Sequence, residues 1–105
     1  MSHNEAGIII YVTYQGPIDA HFDRDYYLSD HLPLVMASWR KYGLESLKAF
    51  FPAIAQEGTL AICECRFRNE ASVTAAFSSL ETPAVMADVA RFTNLAPLRA
   101  RATPL

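Results

Sequence analysis

The sequence predicts an α+β domain: one antiparallel four-stranded sheet with helices on a single face, in the order βαββαβ. Three observations carry this. Runs rich in β-branched and aromatic residues recur at Ile8–Tyr14, Leu44–Phe51 and Thr59–Phe67. A long stretch of helical spacing separates the first two, and two helix starts follow the third. A last short run, Leu95–Ala102, alternates Leu98, Ala100 and Ala102 with Arg99 and Arg101, which predicts a strand with one exposed face. The 105 residues hold one core, so residues 1–105 read as a single domain.

The first strand stops at the turn residues Gln15-Gly-Pro17. Asp19 then suits a helix N-cap, with Asp23 and Asp25 near the positive end of the helix dipole. From Ala20 to Tyr42 the apolar spacing is helical: Phe22 with Tyr26, then Tyr27, His31, Leu34, Val35, Ser38 and Tyr42. Pro33 lacks an amide hydrogen and collides with the carbonyl four residues back, so a kink or break is expected near Asp30–Leu32 with a restart at Pro33. Gly43 suits the closing position. Pro52 ends the second strand and Ala53–Gly58 connects it to the third. Asn69 caps a second helix with the stripe Val73, Ala76, Phe77 and Leu80. Thr82-Pro83 has the form of another capped start, followed by Met86, Val89 and Ala90. This order is the ferredoxin-like split βαβ arrangement.

Two helices cover only one sheet face, yet these strands are apolar on both. Ile8, Ile10 and Val12 alternate with Ile9 and Tyr11, and Leu60 and Ile62 with Ala61 and Cys63. A second apolar face calls for a partner, and two sheets packed face to face in a homodimer would supply it.

Composition narrows the function. The chain is 51% hydrophobic and 19% charged, which argues against disorder. Its formal net charge of -2 lacks the basic footprint that nucleic-acid binding needs. The longest wholly apolar run, Ile8–Val12, is far short of the ~20 residues of a membrane span. Met1–Ala6 has no basic stretch leading into an apolar one, so no secretory signal is expected, and the expected location is the cytoplasm. Cys63 and Cys65 share one strand face at ~6.6 Å, with parallel side chains that disfavour a bridge. No Gly-rich phosphate loop, dinucleotide fingerprint or nucleophile elbow occurs, and no cofactor is expected.

His31 is the first candidate for chemistry, because imidazole exchanges a proton near neutral pH and a helix break often lines a cavity. It could equally bond a carbonyl freed by the break. Tyr11, Tyr27, Trp39 and Tyr42 have the apolar bodies and polar tips that suit an aromatic ligand, and also suit core or dimer contacts. Cys65 could act as a general acid or nucleophile beside a base, or pack as a small hydrophobe. His21 and Asp25 have metal-ligand spacing on a helix, but the same cluster is what a helix start looks like, and no metal is expected. Arg99 and Arg101 read as an edge that discourages aggregation.

At Tyr26-Tyr-Leu-Ser-Asp-His-Leu-Pro-Leu-Val35, followed by Trp39 and then Tyr42-Gly-Leu44, the chain resembles the EthD family. That family is named for ethyl tert-butyl ether degradation and is related to other dimeric α/β barrel proteins. The resemblance covers nearly the whole chain. It implies a ferredoxin-like protomer in a homodimeric barrel. It also implies a role in oxidative breakdown of organic compounds beside a monooxygenase system, or in polyketide modification. His31 matches the family's motif histidine. The related methylmuconolactone isomerases resemble this chain in a first-helix histidine and a third-strand cysteine, which His31 and Cys65 match. The tyrosine of their second strand falls near Leu47, which departs from that pattern.

Three functional expectations follow. The first is a cofactor-free enzyme, oxidoreductase or isomerase, acting on a small apolar or aromatic molecule through His31. The second is a non-catalytic accessory protein for a partner monooxygenase. A smaller third is a haem-handling barrel with a histidine axial ligand.

Overall fold

A computed structural model describes residues 7–54 and 56–102; the signal-sequence reading at Met1–Ala6 lies outside them. Strands β1 (Ile8–Gly16), β2 (Leu44–Phe50), β3 (Gly58–Phe67) and β4 (Leu98–Ala102) form one sheet in the order β2-β3-β1-β4. Every neighbouring pair is antiparallel. Helices α1 (Arg24–Tyr26), α2 (Leu32–Trp39), α3 (Glu70–Phe77) and α4 (Thr82–Asp88) complete the βαββαβ order, so the ferredoxin-like expectation holds.

The register sorts side chains between the faces. Ile8, Ile10, Val12 and Tyr14 stand opposite Phe67, Cys65, Cys63 and Ala61, and Leu47 and Ala49 opposite Cys65 and Cys63. This set faces the helices and, with Tyr27, Val35, Trp39, Val73, Val85 and Phe92, makes the core. Edge-to-face aromatic pairs lock it: Tyr14, Phe22, Tyr27 and Phe92 at one end, Trp39, Phe67 and Phe77 at the other. The alternate residues Ile9, Tyr11, Thr13 and Ile62 lie on the opposite face, with Phe50 and Leu98 about half exposed (49% and 52%).

The proline segment departs from expectation. The helix does not break at Asp30–Leu32; it widens into a π-helical turn, Tyr27–His31, that runs straight into α2. The Leu32 amide donates to the Tyr27 carbonyl five residues back, and one extra residue in the turn accommodates the bond that Pro33 cannot make. The start differs too. Asp23, not Asp19, is the cap, accepting from the Tyr26 amide at 3.0 Å. Phe22 forms a bridge with Thr93 and joins the aromatic cluster, so the chain cannot yet be helical there. Thr82 is not a cap but the first residue of α4; its hydroxyl donates to the Ala76 carbonyl and accepts from Trp39 Nε1. Leu80 lies beyond α3 and is exposed rather than part of its stripe. Strand β4 begins only at Leu98, after Pro97, which has no amide hydrogen for the ladder.

Gly43 closes the last helical turn with φ 112°. A Cβ there would sit 2.1 Å from Ser72 Oγ, whereas at Gly58, with φ 115°, nothing lies within 4 Å. Gly58→Ala is therefore expected to cost about 1–2 kcal/mol, from left-handed backbone alone. Gly43→Ala should cost about 2–4 kcal/mol, because the clash adds to the strain. Urea unfolding of both variants checks this, and equal losses would mean that the Ser72 contact relaxes freely.

Candidate functional site

A cavity of about 280 Å³ lies between the helix-facing side of the sheet and α2 and α4. Strand alternation supplies Tyr14, Cys63 and Cys65 as its floor. The π-helical turn and α2 supply Tyr27, His31 and Trp39, one above another along the core-facing stripe. Of the sequence candidates, His31, Cys65, Tyr27 and Trp39 are thus brought to one space.

Tyr11 and Tyr42 are not among the cavity residues. Tyr11 is an odd member of β1 and points to the other face, where its hydroxyl donates to Glu64 Oε1 at 3.0 Å. The Tyr42 hydroxyl donates to Glu81 Oε1 at 2.8 Å, which holds that side chain against the start of α4.

His31 is 4% exposed. Its Nδ1 lies 3.0 Å from Asp88 Oδ2. Asp88 Oδ1 accepts from the Tyr26 hydroxyl at 2.7 Å and lies 3.6 Å from Arg91 Nε. With the Nδ1 proton donated to Asp88, Nε2 carries the free lone pair and makes no hydrogen bond among the described residues. The ring is clamped between Tyr27 and Phe92, with centroids at 5.7 and 4.6 Å. Burial lowers the imidazole's proton affinity below its ordinary value, and the bond and charge of Asp88 oppose that only in part. Burial alone would raise the Asp88 carboxyl, but hydrogen bonds from His31 and Tyr26, with the charges of His31 and Arg91, hold it below the usual range. A neutral base with an ionised carboxylate behind it is what a proton acceptor in a dry pocket requires.

The thiols behave differently. Cys65 Sγ donates to Cys63 Sγ at 3.8 Å, and both are free and buried. The bond to Cys63 and burial push the Cys65 thiol up, so it stays protonated at neutral pH and is a poor nucleophile. The Tyr14 and Tyr27 hydroxyls are likewise pushed up by burial beside the thiols.

Asp88 escaped the sequence reading. Its signal was present: a carboxylate closes α4, where the helix dipole is negative and disfavours it. Among the described residues, no cluster of three His, Cys, Asp or Glu side chains could hold a metal. His21 precedes the first helix and is exposed, so its four-residue spacing to Asp25 is not helical.

The fold and site together define a ferredoxin-like α+β domain with a buried histidine on a cavity wall and a half-buried carboxylate behind it. Among solved structures, the chain is similar to an EthD-like protein from Ralstonia eutropha JMP134, with 21% identity over 93% of this chain and 91% of that one and a TM-score of 0.81. It is similar to SnoaB, a cofactor-independent oxygenase from Streptomyces nogalater, with 6% identity over 95% and 94% and a TM-score of 0.71. A dimeric ferredoxin-like protein of unknown function from Jannaschia sp. CCS1 shares 12% identity over 92% and 99%, with a TM-score of 0.65. No protein-family model matches the sequence, and no curated protein matches it. At these identities the likeness is one of fold, the fold that the EthD resemblance implies. Among the described residues, no helix is long and apolar enough to cross a membrane.

The site makes a prediction about pH. Unfolded, the His31 imidazole protonates near pH 6.5; folded, it does so at lower pH. Between the two values the unfolded state holds the extra proton, so stability should fall as pH drops below about 6.5 and level off once the folded imidazole is charged. Asp88→Asn should move the His31 titration lower still, by removing the charge that favours imidazolium. Histidine ring-proton NMR across pH 4–8 checks both; a His31 midpoint above 6.5 would overturn the assignment.

Proposed function

We propose that the chain is an EthD-type protein that takes up a small, mostly apolar aromatic molecule and removes a proton from it with His31. The observation that carries this reading is His31 on the cavity wall, its Nδ1 anchored 3.0 Å from Asp88 so that Nε2 keeps its lone pair. The proton leaves an acidic O–H or C–H of the ligand and bonds to Nε2, and Asp88 stabilises the resulting imidazolium. The ligand is left as a phenolate or enolate. That step is common to a cofactor-free isomerase, which returns the proton elsewhere, and to a cofactor-free oxidoreductase, which exposes the electron-rich anion to dioxygen. Likeness of fold to a cofactor-independent oxygenase supports the second branch. Tyr27 and Trp39 form apolar walls that exclude water, Cys65 acts as a neutral wall group, and Tyr11 and Tyr42 act from outside as structural contacts.

The half-exposed Phe50 and Leu98 with the partly exposed Tyr11 and Ile62 support a homodimer in which two such faces close a barrel. The likeness to a dimeric ferredoxin-like protein agrees. A cytoplasmic setting beside a monooxygenase system suits a protein that handles such molecules.

Solvent-deuterium exchange into enolisable lactones and ketones, followed by NMR, isolates the proton step, and oxygen uptake with electron-rich phenols follows oxidation. His31→Gln should slow either by about 10²–10⁴-fold, with Asp88→Asn slowed less and ligand still bound. Full turnover in His31→Gln would overturn the catalytic role. Binding without exchange or uptake in the unmodified protein would favour the accessory function.

Light scattering during gel filtration should give twice the chain mass of 11.7 kDa. Ile62→Glu, on the open face, should shift the population to monomer without unfolding it. A monomer in the unmodified protein would refute the barrel.

A further inference from the structure

We infer that the molecule taken up in this cavity is an aromatic carboxylate of one or two rings, which leaves its carboxylate at the mouth on Arg99. The inference rests on the cavity being a binding site and adds the chemical class. Size comes first. An apolar cavity of roughly 150 Å³ holds one benzene, and this one measures about 280 Å³, room for a second ring or a short unsaturated arm.

Charge comes second. Among the described residues lining the cavity there is one permanent cation, Arg99, and no carboxylate. Asp88 stands behind His31, and with the imidazole neutral the pair brings no cation to the inner wall. The guanidinium of Arg99 lies over the Phe77 ring, 4.5 Å from its centroid. No carboxylate lies within ion-pair distance of it among the described residues, whereas Arg101, two residues on and on the same sheet face, is paired with Glu70. Edge protection against aggregation would be served equally by a paired or an unpaired arginine; an unpaired one on a cavity rim is placed to accept an anion.

Orientation follows from burial. Arg99 is exposed, with the half-exposed Met86 nearby on the rim, while His31, Cys63, Cys65 and Tyr14 are buried at the inner end. An anion driven inward would lose its hydration with no cation to meet it, which is costly. The carboxylate therefore stays at the rim, where a guanidinium can bond both its oxygens, and the ring enters. Tyr14, 2% exposed, has no hydrogen-bond partner for its hydroxyl among the described residues, which leaves a polar atom inside to receive a hydroxyl or carbonyl on the far end of the ring.

Isothermal titration calorimetry with matched pairs tests this: trans-cinnamate against cinnamamide, and 2-naphthoate against 2-naphthamide. The acids should bind at least tenfold tighter than the amides, and raising salt should weaken only the acids. Arg99→Gln should abolish the preference, Arg99→Lys should keep part of it, and Arg101→Gln should leave it intact. Equal affinity of acid and amide, or a preference that survives Arg99→Gln, overturns the inference while leaving the cavity as a neutral-ligand site. Heat from neither member of either pair overturns both this inference and the aromatic-ligand reading beneath it.

Discussion

The missing amide hydrogen of Pro33 shapes more of this protein than any other single feature. A proline in mid-helix leaves a carbonyl without its donor and pushes against it, and most helices answer by ending. Here the chain inserts one residue, so that the Leu32 amide reaches the Tyr27 carbonyl and the helix continues. Tyr27, His31, Val35 and Trp39 then all stay on the stripe that faces the sheet. A true break would have released His31 from that stripe. Widened turns of this kind recur at functional sites because they place a side chain without ending the element that holds it.

What the turn positions, packing and charge then specify. An imidazole buried among Tyr27 and Phe92 loses affinity for its proton, and a carboxylate buried alone would be worse off. Each is acceptable because the other is there: Asp88 fixes the tautomer of His31, and Tyr26 and Arg91 keep Asp88 ionised. The link spans 57 residues and ties the first helical segment to α4, so the same contact that tunes the base also helps close the cavity roof. Below it the two thiols diverge: Cys65, which donates to Cys63, is pushed up and stays neutral, whereas the bonds that Cys63 accepts lower its thiol.

The sheet divides the labour between its faces. One carries the aromatic core and the cavity, and the other carries Ile9, Tyr11, Ile62 and Phe50 with no helix over them. Period-two alternation makes the two sets independent, so a face suited to pairing copies does not compromise the pocket behind it. Arg99 belongs to the pocket side by the same rule, because it stands opposite Val12 rather than opposite Ile9 or Tyr11.

Local pattern determined the elements. Strand composition, the Asn69 cap and the Gly43 stop could be read in order, since each reflects forces acting within a few residues; the alternation of Leu98–Ala102 marked a strand but not its faces, because the arginines lie on the helix-facing side and Leu98 and Ala100 are exposed too. His31, Cys65, Tyr27 and Trp39 were readable as candidates for the same reason: their residue types advertise their chemistry. Whether Pro33 would break the helix or widen it depended on the sheet beneath, which rewards the burial of Tyr27, Val35 and Trp39. The exclusion of Tyr11 and Tyr42 from the cavity depended on strand phase and on the reach of Glu64 and Glu81. Asp88 and Arg99 gained their meaning only in three dimensions, because a carboxylate or a guanidinium takes its role from the charges around it, and those arrive from distant parts of the chain.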